Sequence, residues 1–127
     1  MNADERRYEE VTAKIIAAVI AVSNELGVGF LERVYRNALF VELTRAGMKV
    51  EQERKLVVRY RGVVVGDYFA DLLVEDSVLI EVKHASGIDD AHVAQTLNYL
   101  RITGMHLALI VNFGRTKAEW RRVVRNL

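Results

Sequence analysis

Residues Asp71 to Lys83 read DLLVEDSVLIEVK. Two apolar runs flank the polar Glu75-Asp76-Ser77, which predicts a pair of strands joined by a short turn, the second strand being Val78–Lys83. In a strand, residues i and i+2 share a face, so Glu81 and Lys83 project together while Ile80 and Val82 project the other way. If Glu75-Asp76-Ser77 is a three-residue loop, Val74 faces Val78, and the same count sets Asp71 opposite Glu81. Such cross-strand neighbours have Cβ atoms roughly 4.5–5.5 Å apart. A two-residue turn would instead set Asp71 against Val82, on the opposite face. The turn therefore decides whether two acids and a lysine converge on one side of a sheet.

Around this hairpin the periodicity is clear. Val11, Ile15, Ala18, Val19, Val22 and Leu26 recur at helical spacing within Glu5–Leu26. Gly27-Val28-Gly29 interrupts the pattern. A second helix is expected over Leu31–Ala46, with Leu31, Val34, Tyr35, Ala38, Leu39 and Leu43 on one face and Gly47 as its stop. Lys55–Tyr60 and Val63–Asp71 read as strands around a tight Arg61-Gly62 turn, the second able to run on to Val74. After Lys83, a loop leads to Asp89 or Asp90, either of which can cap a helix over Ala91–Thr103. His106–Asn112 is an apolar strand, and Trp120–Val124 a short final one. The first three strands form an antiparallel meander, and the helix before His106 supplies the crossover that a parallel neighbour needs. The expected fold class is mixed α+β, a central mixed sheet flanked by helices.

Composition narrows the setting. A chain of 127 residues, half of them hydrophobic, suits one domain spanning 1–127. There is no cysteine, so disulfides and thiolate metal sites are excluded, which fits a reducing compartment and a cytoplasmic location. The apolar run Ile15–Val22 stops at Ser23, far short of the roughly 20 residues that a spanning helix requires, so no membrane role is expected. Net charge is only +1, yet Arg115, Lys117, Arg121, Arg122 and Arg125 meet a single acid, Glu119, near the end. That basic segment suits phosphates or simply a solvated edge.

Two facing carboxylates repel, and in a half-buried place the repulsion raises a pKa or destabilises the fold. A divalent cation removes the problem: Mg²⁺ takes one or two carboxylates and keeps waters for a substrate phosphate. Lys83, on the same face, can orient such a water or stabilise developing charge. The competing reading is a solvated sheet face on which Lys83 is a salt-bridge partner of the acids. His84 and His106 have no partner at convincing metal spacing, and Asp67 reads as an exposed strand acid.

The strand order, Asp71 and Glu81-Val82-Lys83 together resemble the PD-(D/E)XK nuclease superfamily, with Ala70 where a proline is usual. Gly29-Phe30-Leu31-Glu32-Arg33-Val34-Tyr35 matches GxxExxY. With Ala38-Leu39, Glu42-Leu43 and Gly47, it is similar to the GxxExxY protein family, a branch of that superfamily, over about Val22 to Phe113. The resemblance implies a restriction-endonuclease-like core. It implies Asp71 and Glu81 as metal ligands for Mg²⁺ or Mn²⁺, completed by the Val82 carbonyl, with Lys83 as the catalytic lysine. Glu32 would bind or orient metal or water, although an acid in a first helical turn is also favourable to the helix dipole. Tyr35 reads as a packing residue with a hydrogen-bonding tip. Gln95 and Tyr99, four apart on one helix face with His92 a turn earlier, look like the QxxxY element of RecB-type nucleases. Gln95 would lie near the site, Tyr99 and His92 would support it, and His92 is most simply a surface or capping residue.

The function expected is a metal-dependent phosphodiesterase acting on nucleic acid, DNA for preference, with a homodimer suited to two-strand cleavage. The alternative is a non-catalytic nucleic-acid-binding or interaction module that keeps the fold. A third is an assembly subunit whose apolar first helix covers a dimer interface.

Overall fold

The computed structural model of the chain describes residues 2–127. Helix α1 spans Ala3–Leu26 and α2 spans Glu32–Arg45. Strands β1 (Val50–Tyr60), β2 (Val63–Val74) and β3 (Val78–Lys83) follow, then α3 (Asp90–Thr103), β4 (Leu107–Asn112) and β5 (Glu119–Val124). The five strands form one sheet in the order β1-β2-β3-β4-β5. Only β3 and β4 run parallel, and α3 is the crossover between them. This is the mixed sheet flanked by helices that the periodicity predicts.

The helix faces carry the pattern read from the sequence. Val11, Ile15, Ala18, Val19 and Val22 of α1, with Tyr35, Leu39 and Leu43 of α2, pack on one side of the sheet against Leu72, Val78, Ile80 and Val82. On the other side, Tyr99 and Leu100 of α3 pack with Leu79, Ala108, Ile110 and Val123. Leu31 departs from its expected place: it is the exposed N-cap position of α2 rather than part of the buried stripe. No helix among the described residues is long and apolar enough to cross a membrane.

Both turns act as register pins. Arg61 (φ 51°) and Gly62 (φ 79°) take positive φ together, the pairing a two-residue type I′ hairpin demands. Glu75 and Asp76 also take positive φ, and the three-residue loop sets Val74 opposite Val78. β1 starts five residues earlier than Lys55, through Val50-Glu51-Gln52-Glu53-Arg54. As an edge strand it tolerates charge that hides its signature. The β1–β2 hairpin outruns the sheet, because β3 pairs only with Leu72–Val74. Tyr60, Val63, Val64, Val65 and Phe69 are consequently exposed.

One irregularity positions the site. Tyr68 and Ala70 face α3: the Tyr68 ring centroid lies 5.4 Å from that of Tyr99, and Ala70 belongs to the α3-side core. Leu72 and Val74, at the same even positions, face α1 and α2, while Leu73 faces α3. Strict alternation forbids this exchange, so β2 rotates about Asp71. Its register neighbour on β1, Glu53, has φ 52° and lies between the pairs Gln52↔Leu72 and Arg54↔Ala70. The ladder of β2 with β3 ends at Leu72↔Ile80, one pair short of Asp71 and Glu81.

Candidate active site

Where β2 turns away from β3, the outward N–H of Val82 loses its strand partner. The Asp71 side chain replaces it, Oδ2 accepting from Val82 N at 2.7 Å. Asp71 is thereby fixed over β3 beside Glu81. The register continues as the three-residue turn requires, but the two acids meet where the strands part rather than within a regular ladder.

Glu81 alternates with Leu79 and so faces α3, and it is only 4% exposed. Its Oε1 is buried without a hydrogen-bond partner among the described residues. Burial first, and the neighbouring Asp71 charge second, push the Glu81 carboxyl up to about 8. Burial also pushes the Asp71 carboxyl up, against the pull of the Val82 N–H and of Arg36. A solvated sheet face is therefore not what surrounds Glu81. Lys83 is half-buried and makes no ion pair among the described residues, so it is not tied to either acid as a salt-bridge partner.

On the α2 side, Asp71 opens into a cleft of about 730 Å³ walled by Glu32, Arg33, Arg36, His84 and the Gly29–Leu31 loop. Glu32, first residue of α2, accepts from the His84 N–H at 3.3 Å. Tyr35 is fully buried, and its hydroxyl fastens that loop: it donates to Gly27 O at 2.6 Å and accepts from Phe30 N at 3.2 Å. Its ring stacks on Phe113 at 4.6 Å. Glu32 and Tyr35 of the GxxExxY stretch thus do separate things, one walling the cleft and the other shaping it.

On α3, Tyr99 is buried, and burial followed by the Glu81 charge pushes its phenol up to about 12. Gln95, one turn earlier, is exposed, and its side chain forms no hydrogen bond among the described residues. The structure brings Tyr99 close to Glu81 and leaves Gln95 toward solvent. His92 closes a capping box with Asp89: its N–H gives to Asp89 Oδ1 at 2.8 Å and its Nδ1 accepts from Asp89 N at 3.2 Å. Val82 buries its side chain among the α1 and α2 residues.

Two residues escaped the sequence reading. Arg36, one turn after Glu32, pairs with Glu53 at 3.0 Å and shares the cleft with Asp71. Buried Asn112 ties down the loop after Lys83: Oδ1 accepts from Ala85 N and Gly114 N, and Nδ2 donates to Ala85 O and Glu119 Oε1. Neither forms a local motif: Arg36 meets Glu53 of β1, and the Ala85 partner of Asn112 lies far back in the chain.

Two carboxylates side by side, one with a buried oxygen lacking any donor, form a donor set suited to a hard divalent cation. Among the described residues no three Asp, Glu or His side chains converge as a metal group, so backbone and water oxygens would complete the coordination.

A family model of the PD-(D/E)XK nuclease superfamily matches residues 9–123. The chain belongs to that superfamily. No curated protein matches the sequence. Among solved structures, that of SSO0001 is similar with a TM-score of 0.60 at 18% identity, over 97% of this chain and 60% of that one. The chain thus spans less than two thirds of SSO0001. An alkaline exonuclease, LHK-Exo from Laribacter hongkongensis, is similar with a TM-score of 0.50 at 13% identity, over 94% of this chain and 82% of that one. At these identities the likeness is one of fold.

Proposed function

We propose that residues 1–127 act as one PD-(D/E)XK nuclease-like domain, of the GxxExxY branch, that hydrolyses phosphodiester bonds in DNA with Mg²⁺ or Mn²⁺. The observation that carries this reading is the buried, unpartnered Glu81 oxygen beside Asp71, in a chain of a nuclease superfamily. Asp71 and Glu81 would hold the cation, with Glu32 and the Val82 carbonyl as further oxygen donors. Bound there, the ion supplies polarisation of a phosphoryl oxygen and a lowered pKa for its water.

The chain's own groups do the rest. The Lys83 ammonium, unengaged by either acid, stabilises negative charge that builds on the phosphoryl oxygens as water attacks and the P–O bond to the leaving group breaks. The Tyr99 ring keeps water from the α3 side of Glu81, which strengthens the electrostatics within. Gln95 is available to contact substrate from the rim.

The test is cleavage of single-stranded, duplex and branched DNA with Mg²⁺ or Mn²⁺ by the wild type and by Glu81→Ala and Lys83→Ala. Loss of cleavage in both variants is the expected result. Equal cleavage in all three marks a contaminating nuclease and ends the proposal. Among the described residues no three Asp, Glu or His side chains group for a metal, which leaves room for a second reading, a binding module that keeps the fold. Salt-sensitive DNA binding, indifferent to metal and to Glu81→Ala, without cleavage, would select it.

A further inference from the structure

We infer that Arg36 binds a backbone phosphate of the substrate strand, an anion subsite beside Asp71 that rests on the nucleic-acid reading above. Glu32 and Arg36 are four apart, so α2 presents both to the same side, and both wall the cleft onto which Asp71 opens. Arg36 also borders a second cleft of about 330 Å³, with Glu53, Phe69, Ala70 and Asp71 around it. Arg36 therefore borders two open spaces, next to an acid proposed to hold the metal.

The hydrogen bonding of Arg36 is incomplete. A guanidinium has five N–H donors in a planar fork. Nη1 is held by Glu53 at 3.0 Å, while Nε is buried with no acceptor among the described residues. Asp71 is not within ion-pair distance of it. A buried donor without an acceptor is unfavourable, and a small outward turn of the side chain would let a phosphate satisfy the adjacent Nε and Nη2 donors in one bidentate contact. Glu53 gives the group its aim. It takes φ 52° at the point where β1 and β2 lose their regular pairing, and it meets α2 across 17 residues of chain (53 minus 36). The arrangement holds one edge of a rigid fork and leaves the other without a partner among the described residues. That is a role for arginine rather than lysine.

The experiment is fluorescence anisotropy of a labelled single-stranded DNA oligonucleotide, titrated with the metal-free Glu81→Gln chain over a range of salt. Without metal there is no cleavage, so the readout is binding alone. Adding Arg36→Ala is expected to weaken binding about tenfold or more. It should also flatten the plot of log affinity against log salt by roughly 0.7, one phosphate contact on a single strand. Arg36→Lys keeps the charge and the salt slope but binds more weakly, because the fork is gone. Melting curves of each variant report folding, and if the alanine variant fails to fold, Arg36→Lys and Arg36→Gln carry the comparison. A merely structural arginine would lower the melting temperature and leave the slope alone. Unchanged affinity and slope in folded Arg36 variants overturn this inference while the nuclease reading stands on its cleavage assay. No binding by the parent chain overturns it together with the nucleic-acid reading. Weakened binding in a chain that cleaves nothing upholds Arg36 and removes only the catalysis.

Discussion

The Asp71 carboxylate accepts the Val82 N–H at 2.7 Å and so stands in for a strand neighbour that has turned away. One side chain thus closes the sheet and faces the candidate site. The two duties separate by substitution. Asn can still offer an oxygen to Val82 but carries no charge, whereas Ala leaves that N–H with no partner. Asp71→Ala should be less stable than Asp71→Asn by about 1–3 kcal/mol, the usual effect of an orphaned buried donor. Both should lose cleavage. Urea melts of the two metal-free variants measure the difference, and equal stabilities would show that the hydrogen bond does not hold the hairpin.

Glu81 predicts how stability depends on pH. Its carboxyl stands at about 8 in the folded chain against an ordinary 4.5, with burial as the larger cause and Asp71 as the next. Below that ordinary value both folded and unfolded chains hold the proton. Between the two values the folded chain keeps a proton that the unfolded chain has released, so stability falls as pH rises through this window. Each unit is worth about 1.4 kcal/mol, so metal-free wild type should lose a few kcal/mol relative to Glu81→Gln between about pH 5 and about pH 8. Parallel pH profiles for wild type and Glu81→Gln would refute this assignment. Saturating Mg²⁺ should act in the opposite sense, stabilising wild type most at the alkaline end, because it binds the deprotonated pair.

The hairpin register was legible because it follows from counting. A three-residue loop at Glu75-Asp76-Ser77 leaves one parity for Asp71 and Glu81, and Val74 does face Val78. The rotation of β2 at Asp71 was not legible. Its marks are a positive φ at Glu53 and an exchange of core faces between Ala70 and Leu72, both decided by what α2 and α3 pack against. A glutamate carries no signal for a left-handed backbone. Arg36 and Asn112 stayed hidden for a related reason: a single arginine or asparagine looks the same in sequence whether it faces water or closes a network. Lys55–Tyr60 was visible as strand through its apolar residues. Val50–Arg54 was masked by the charge that an edge strand accepts.

Gln95 and Tyr99 share a helix face yet should separate in experiment. Tyr99 fills the α3-side core against Tyr68 and lies near Glu81, so Tyr99→Ala should destabilise by about 3–5 kcal/mol through cavity formation. Gln95 is exposed with no side-chain hydrogen bond to lose among the described residues, so Gln95→Ala should change stability by no more than about 0.5 kcal/mol. Any fall in cleavage by Gln95→Ala then reports contact with substrate. Thermal melts with single-turnover cleavage make the comparison. A Gln95→Ala chain with full activity removes it from the site.

The loop that leaves Lys83 is clamped from below, and that clamp makes Gly114 irreplaceable. A Cβ at Gly114 would lie 2.3 Å from Ala85 O and 2.5 Å from Ala85 N, and both atoms are backbone held by Asn112. A flexible side chain could yield to such a clash, but a backbone engaged in two hydrogen bonds cannot do so without breaking them. Gly114→Ala should therefore destabilise by about 2–4 kcal/mol, as overpacking of a rigid site does. Asn112→Ala removes four hydrogen bonds and leaves half-buried partners at Ala85 and Glu119, so a loss of similar size is expected. Because both changes loosen the same segment, the double variant should fall well short of the sum of the singles. A double-mutant cycle in urea checks this. Additive losses would mean that Gly114 and Asn112 act on separate parts of the chain, and the loop after Lys83 would then not be a single clamped unit.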